Sequence, residues 1–95
     1  MHELRVPDHL VELIRSLHPE IKGKIRGSLK LLANDPHTGK LLKDEMEELR
    51  SFRIKRLRII YRIAGQEEIH IIAIGPREQI YEETYRLIRK ENRNP

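Results

Sequence analysis

Between Leu49 and Gln66 apolar residues alternate along the chain, first Phe52 and Ile54 and then Leu57, Ile59, Tyr61 and Ile63, with six basic residues and no acidic one among them. A period of two sends successive side chains to opposite faces of a strand, so this stretch is predicted as two antiparallel strands that turn near Lys55-Arg56. Arg50, Arg53, Lys55, Arg56, Arg58 and Arg62 then form a cationic surface carried on a rigid sheet. The chain holds nineteen Lys and Arg against fifteen Asp and Glu, and outside this stretch the acids outnumber the bases. Basicity concentrated in one place points to a polyanionic partner rather than to general solubility.

The remaining elements follow from the same kind of reading. Glu3 to Val6 reads as a short opening strand stopped by Pro7. Asp8 is the expected N-cap of a helix whose Leu10, Leu13, Ile14 and Leu17 fall on one face. Pro19 suits the first turn of a second helix, with Ile21, Ile25, Leu29 and Leu32 on one stripe and Asn34-Asp35-Pro36 as its stop. The two helices are expected to form a hairpin. Gly23 and Gly27, one turn apart, are candidates for a close backbone approach. Residues 37–48 read as irregular, with a turn at Thr38-Gly39, core anchors at Leu41, Leu42 and Met46, and a solvated acidic run at Glu45, Glu47 and Glu48.

After the basic strands, Gly65-Gln66 supplies a turn into a third strand, Ile69 to Ile74, whose almost continuously apolar run predicts an interior strand. Gly75-Pro76 ends it. Ile80, Thr84, Leu87 and Ile88 then trace a terminal helix, with Glu82 and Arg86 spaced as an i, i+4 ion pair. The predicted fold is α+β: an N-terminal strand, a helical hairpin, a three-stranded antiparallel meander and a C-terminal helix, the helices packed on one face of a small, mostly antiparallel sheet. One domain is expected over residues 1–90, followed by a flexible tail, 91–95.

Several function classes drop out early. There is no cysteine, which removes disulfides, thiolate metal sites and thiol nucleophiles together. The apolar runs fall far short of the roughly 20 residues needed to cross a bilayer, and no signal-peptide core opens the chain, so a cytoplasmic protein without a membrane partner is expected. His2, His9, His18, His37 and His70 are scattered without metal-ligand spacing, and neither a metal site nor a small-molecule cofactor is expected. Tyr61, on the apolar side with Ile59 and Ile63, reads as core.

Two segments together are more specific than any of these. Arg53, Arg58 and Tyr61 stand in an Arg-x-x-x-x-Arg-x-x-Tyr spacing within Leu49 to Ile63, and Gly75-x-Arg77-x-x-x-Tyr81 follows. In this order and at this length, with the helical hairpin and the Asn34-Asp35-Pro36 stop ahead of them, they resemble the RelE/ParE superfamily of bacterial toxin–antitoxin toxins. The chain departs from that pattern at Lys55, where many relatives carry a turn glycine, and at Leu57, where they often carry an aromatic residue.

The resemblance implies a toxin neutralised by a cognate antitoxin and, for RelE-like members, a metal-independent endoribonuclease that cuts mRNA on the ribosome through attack of the ribose 2′-hydroxyl on the adjacent phosphate. By motif position, Arg53 and Arg58 would hold and polarise the phosphate, Arg77 would stabilise its growing negative charge, and Tyr81 would stack on a base or assist proton transfer. Arg50, Lys55, Arg56 and Arg62 would bind the RNA backbone. Forked guanidinium donors suit phosphate oxygens, and arginine suits charge that develops in a transition state. Arginine is a poor general base, however, so Lys55 or Tyr81 would need a lowered pKa to fill that role. Two further readings remain: a ParE-like inhibitor that binds DNA gyrase, and a family member that binds without catalysis. Retention of Arg77 and Tyr81 favours the nuclease.

Overall fold

Each alternating segment forms a strand in the computed structural model, which describes residues 2–43 and 48–92. Strand β1 (Glu3–Arg5) leads into helices α1 (Asp8–Ser16) and α2 (Pro19–Asn34), and a single 3-10 turn, Pro36–Thr38, precedes a two-residue strand β2 (Lys40–Leu41). Strands β3 (Arg50–Ile54), β4 (Leu57–Ala64) and β5 (Glu68–Pro76) then form the meander, and α3 (Arg77–Asn92) closes the chain. The sheet order is β1-β5-β4-β3-β2, with β1 parallel to β5 and every other pair antiparallel.

The α+β class and the element order agree with the sequence reading, and the strand not foreseen is β2. Two residues carry too little pattern to be read, and β2 exists because Lys40 and Leu41 pair with Ser51 and Arg50. Leu41 is therefore an exposed edge residue rather than a core anchor, while Leu42 does pack inward. Met46, Glu45 and Glu47 lie outside the described residues, as do residues 93–95 of the expected tail, while Glu91 and Asn92 continue α3 because its helical pattern runs on to its end.

The helices divide between the two faces of the sheet instead of sharing one. The α1–α2 hairpin covers Ile54, Ile59, Tyr61, Ile69, Ile71 and Ile74, with Leu10, Ile14, Ile25 and Leu32 as its own buried contribution. Helix α3 covers the opposite face, where Ile80 and Ile88 meet Ile60 and Ala73. Consecutive apolar residues in β4 and β5 record this two-sided burial, because neighbours in a strand point opposite ways. A bulge helps: Ile60 pairs with Ala73 and Tyr61 with Ile71, so Ile72 is an extra residue that turns with Ala73 toward α3.

Helix boundaries show local chemistry at work. Pro7 is the N-cap of α1 and its carbonyl accepts the Leu10 and Val11 amides, which leaves Asp8 as the first helical residue rather than the cap. Asp8 still favours the helix as a negative charge in the first turn. At α2, His18 Nδ1 accepts the Glu20 amide at 3.2 Å and Pro19 follows at the first helical position. Gly23 and Gly27 make no close approach: a Cβ at either would meet nothing within 4 Å, because the Ile21, Ile25, Leu29, Leu32 stripe takes the inner face and turns both glycines to solvent. In α3 the expected Glu82–Arg86 pair forms at 2.7 Å.

Candidate functional site

The β3–β4 register fixes the first part of the site. Arg53 pairs with Arg58, and Arg58 pairs in turn with Gly75 of β5. Because Phe52, Ile54 and Ile59 point toward the α1–α2 hairpin, Arg53 and Arg58 share the other face, the one α3 packs against. Gly75 leaves room in this row, where a Cβ would come within 3.2 Å of Ile80 Cδ1. Two residues later the strand becomes α3, and Arg77 is its first residue.

These pieces enclose a cleft of about 430 Å³ lined by Arg53, Lys55, Arg56, Arg58, Pro76 and Arg77. Five cationic side chains from one turn, two strands and the start of α3 thus converge on one concavity. The start of α3 borders it, and the first-turn amides of a helix lack intrahelical partners and carry the positive end of its dipole. Both contributions favour an anion with several oxygens, such as a phosphodiester.

At the hairpin tip Lys55 adopts φ 51, the left-handed conformation that glycine takes at no steric cost. Its carbonyl accepts Arg53 Nε at 3.1 Å, and its Nζ lies 3.4 Å from Glu20 Oε1 of α2. The Lys55 pKa is raised, by a hydrogen bond to Lys24 once that amine is neutral and by the Glu20 carboxylate, while the Lys24 pKa is lowered, first by its contact with Lys55. A raised pKa is opposite to what a general base at Lys55 requires. Lys55 is instead a persistent cation.

The remaining sequence candidates lie elsewhere. Arg50 donates to the carbonyls of Gly39 at 2.8 Å and His37 at 3.2 Å, bracing the loop before β2 rather than lining the cleft. Arg62 is half-buried opposite His70, and its Nε finds no partner among the described residues. Tyr81 does not line the cleft. Its hydroxyl is 3.1 Å from Ser51 Oγ, and its ring packs with the α3-side core, fastening the first turns of the helix that carries Arg77. Tyr61 is core as expected, fully buried, and its hydroxyl donates to Pro36 O at 2.7 Å while accepting the Gly39 amide at 2.9 Å. Glu20 and Lys24 were not anticipated. They lie one turn apart on α2, but only the tertiary fold places that turn beside the hairpin tip.

Among the described residues no cluster of His, Asp and Glu is suited to hold a metal ion, and no helix is long and apolar enough to cross a membrane. The family model described as the ParE toxin of a type II toxin–antitoxin system, parDE, matches residues 5–81. This chain belongs to that family. It is a toxin of a type II toxin–antitoxin system within the RelE/ParE superfamily, as the paired motifs implied.

Solved structures agree on the fold. A mutant of the Escherichia coli toxin RelE in the free state superposes with a TM-score of 0.73 at 15% identity, over 92% of this chain and 97% of RelE. The RelBE2 toxin–antitoxin complex from Mycobacterium tuberculosis gives 0.69 at 23% identity, over 80% of this chain and 98% of the matched one. The intact E. coli RelBE complex gives 0.67 at 15% identity, over 80% of this chain and 96% of that one. No curated protein matches the sequence.

Proposed function

We propose that this toxin is a metal-independent endoribonuclease that cuts mRNA on the bacterial ribosome, in the cytoplasm, and that a cognate antitoxin neutralises it. The observation that carries this reading is the convergence of Arg53, Arg58 and Arg77 on one open, cationic cleft, set by strand register and by the β5–α3 junction. In the reaction the ribose 2′-oxygen forms a bond to the adjacent phosphorus as the bond to the 5′-oxygen breaks, giving a cyclic phosphate and a free 5′-hydroxyl. Arg53 and Arg58 hold the phosphate by forked hydrogen bonds, and Arg77 stabilises the charge that grows on its oxygens in the transition state. Lys55, held as a cation, adds to that stabilisation, and the leaving 5′-oxygen takes its proton from solvent. The 2′-hydroxyl proton passes to solvent. Tyr81 positions α3, and Arg50, Arg56 and Arg62 add positive potential along the RNA path. The antitoxin proposal draws on the RelBE complexes, whose toxin chains share this fold.

A second reading, inhibition of DNA gyrase by protein binding, is favoured by the ParE family model that the sequence matches. Induced expression of wild type beside Arg77→Ala, with growth followed and new mRNA ends mapped, separates the two. Growth arrest with fresh ends inside translated frames, absent in the variant, supports the nuclease. Arrest with intact messages and blocked supercoiling assigns the toxin to the gyrase class.

A further inference from the structure

The cationic surface does not stop at the cleft. Past Lys55 the hairpin tip meets the first turns of α2, where Glu20 Oε1 lies 3.4 Å from Lys55 Nζ and Lys24, one helical turn after Glu20, shares the face turned to the tip. Like charges on facing elements repel each other, and Lys55 stands at the hairpin tip in a left-handed backbone conformation. Both ion-pair partners are largely exposed, so Glu20 holds Lys55 weakly and water or another anion displaces it readily. An anionic oxygen is already present between strand and helix. It belongs to the protein.

We infer that Lys24 and Lys55 form a second phosphate-binding subsite at the hairpin tip, continuous with the cleft, and that the Glu20 carboxylate occupies the phosphate position in the free protein. The inference rests on the reading of the cleft as an RNA site and extends it by one element, from the sheet and α3 onto α2. Entry of a neighbouring phosphate displaces Glu20, relieves the repulsion between the two lysines, and anchors the strand on the side of the cleft away from Arg77. The subsite reads the backbone and not the base, so it lengthens the bound RNA segment without adding sequence preference.

Fluorescence anisotropy with labelled oligodeoxynucleotides, which lack the attacking hydroxyl and cannot be cut, tests this apart from catalysis. A dinucleotide carries one internucleotide phosphate and fills only the cleft, whereas longer strands reach the hairpin tip. Lys24→Ala is expected to weaken the longer strands about tenfold, to flatten their salt dependence by roughly 0.7 in log–log slope, and to leave the dinucleotide unchanged. Glu20→Gln is expected to tighten the longer strands. Lys30→Ala and Glu12→Gln make the same charge changes elsewhere on α2 and α1 and should do neither. If Lys24→Ala matches wild type at every length while Arg58→Ala weakens binding, the second subsite is wrong and the cleft stands. If Lys30→Ala and Glu12→Gln reproduce the effects, the change is one of net charge and the subsite is again overturned. If Arg58→Ala itself binds as wild type does, the cleft reading fails, and the extension with it.

Discussion

Arg53 and Arg58 stand directly opposite each other across the β3–β4 hairpin, two like charges at one cross-strand pair. Such a pair destabilises a hairpin by about 0.2–1 kcal/mol, and a sheet optimised only for stability would not carry it. Arg53→Thr is therefore expected to raise stability to urea by about 0.5 kcal/mol while lowering RNA cleavage at least tenfold. Opposite signs in the two measurements mark a functional arginine. Loss of stability together with activity would instead show that Arg53 serves the fold.

Lys55 leads to a second trade of the same kind. Its φ of 51 is the geometry a glycine adopts freely. Lys55→Gly should relieve strain and stabilise the hairpin by about 0.5–1 kcal/mol, less than the full left-handed cost because glycine is also freer when unfolded. The same change removes a cation from the cleft, so RNA affinity should fall. Thermal unfolding and RNA binding measured on one preparation check both halves, and unchanged affinity would show that the lysine only occupies the turn.

How much of this was legible from residues alone differs by element. The strands and long helices announced themselves by period, and the turn at Lys55-Arg56 by where the alternation resets. The side taken by α3 did not, because the mostly apolar run Ile69 to Ile74 marks an interior strand without telling which helix covers which face, and the extra residue Ile72 hides in the same run. The arginines of the cleft were visible as a motif, yet nothing in the motif separates Arg58, which lines the cleft, from Arg50, whose guanidinium is committed to the Gly39 and His37 carbonyls. Glu20 and Lys24 sit more than thirty residues before Lys55. Their contact exists only because α2 crosses the hairpin tip.

The hydroxyl of Tyr81 separates a chemical role from a positioning one. It is already hydrogen-bonded to Ser51, which is itself nearly buried, and the ring packs against the cluster of Leu49, Ile60, Ala73 and Ile80. Tyr81→Phe should cost about 1 kcal/mol of stability for the lost hydrogen bond and leave cleavage within a fewfold of wild type. Tyr81→Ala, which also removes the ring, should cost more of both. Should the phenylalanine variant be as inactive as Arg77→Ala, the hydroxyl itself takes part in proton transfer.

Tyr61 carries the clearest dependence on pH. Its hydroxyl ties the buried middle of β4 to the 3-10 turn, and Gly39 is glycine for want of space, since a Cβ there would overlap the hydroxyl and approach ring atoms Cε1 and Cζ at 2.8 and 2.9 Å. Tyr61→Phe leaves the Pro36 carbonyl and the Gly39 amide without their partner and should cost about 2–3 kcal/mol near neutral pH. Burial raises the Tyr61 pKa above the usual tyrosine value, although the Gly39 amide and the nearby Arg50 charge pull the other way. The native protein thus keeps this proton after the unfolded chain has released it. The stability gained from the buried phenol is complete below pH of about 10 and is lost as pH rises through the native value. Urea melts of wild type and Tyr61→Phe across that range should show the wild-type advantage shrinking above pH of about 10. A constant difference would mean that Tyr61 ionises alike in the folded and unfolded chains.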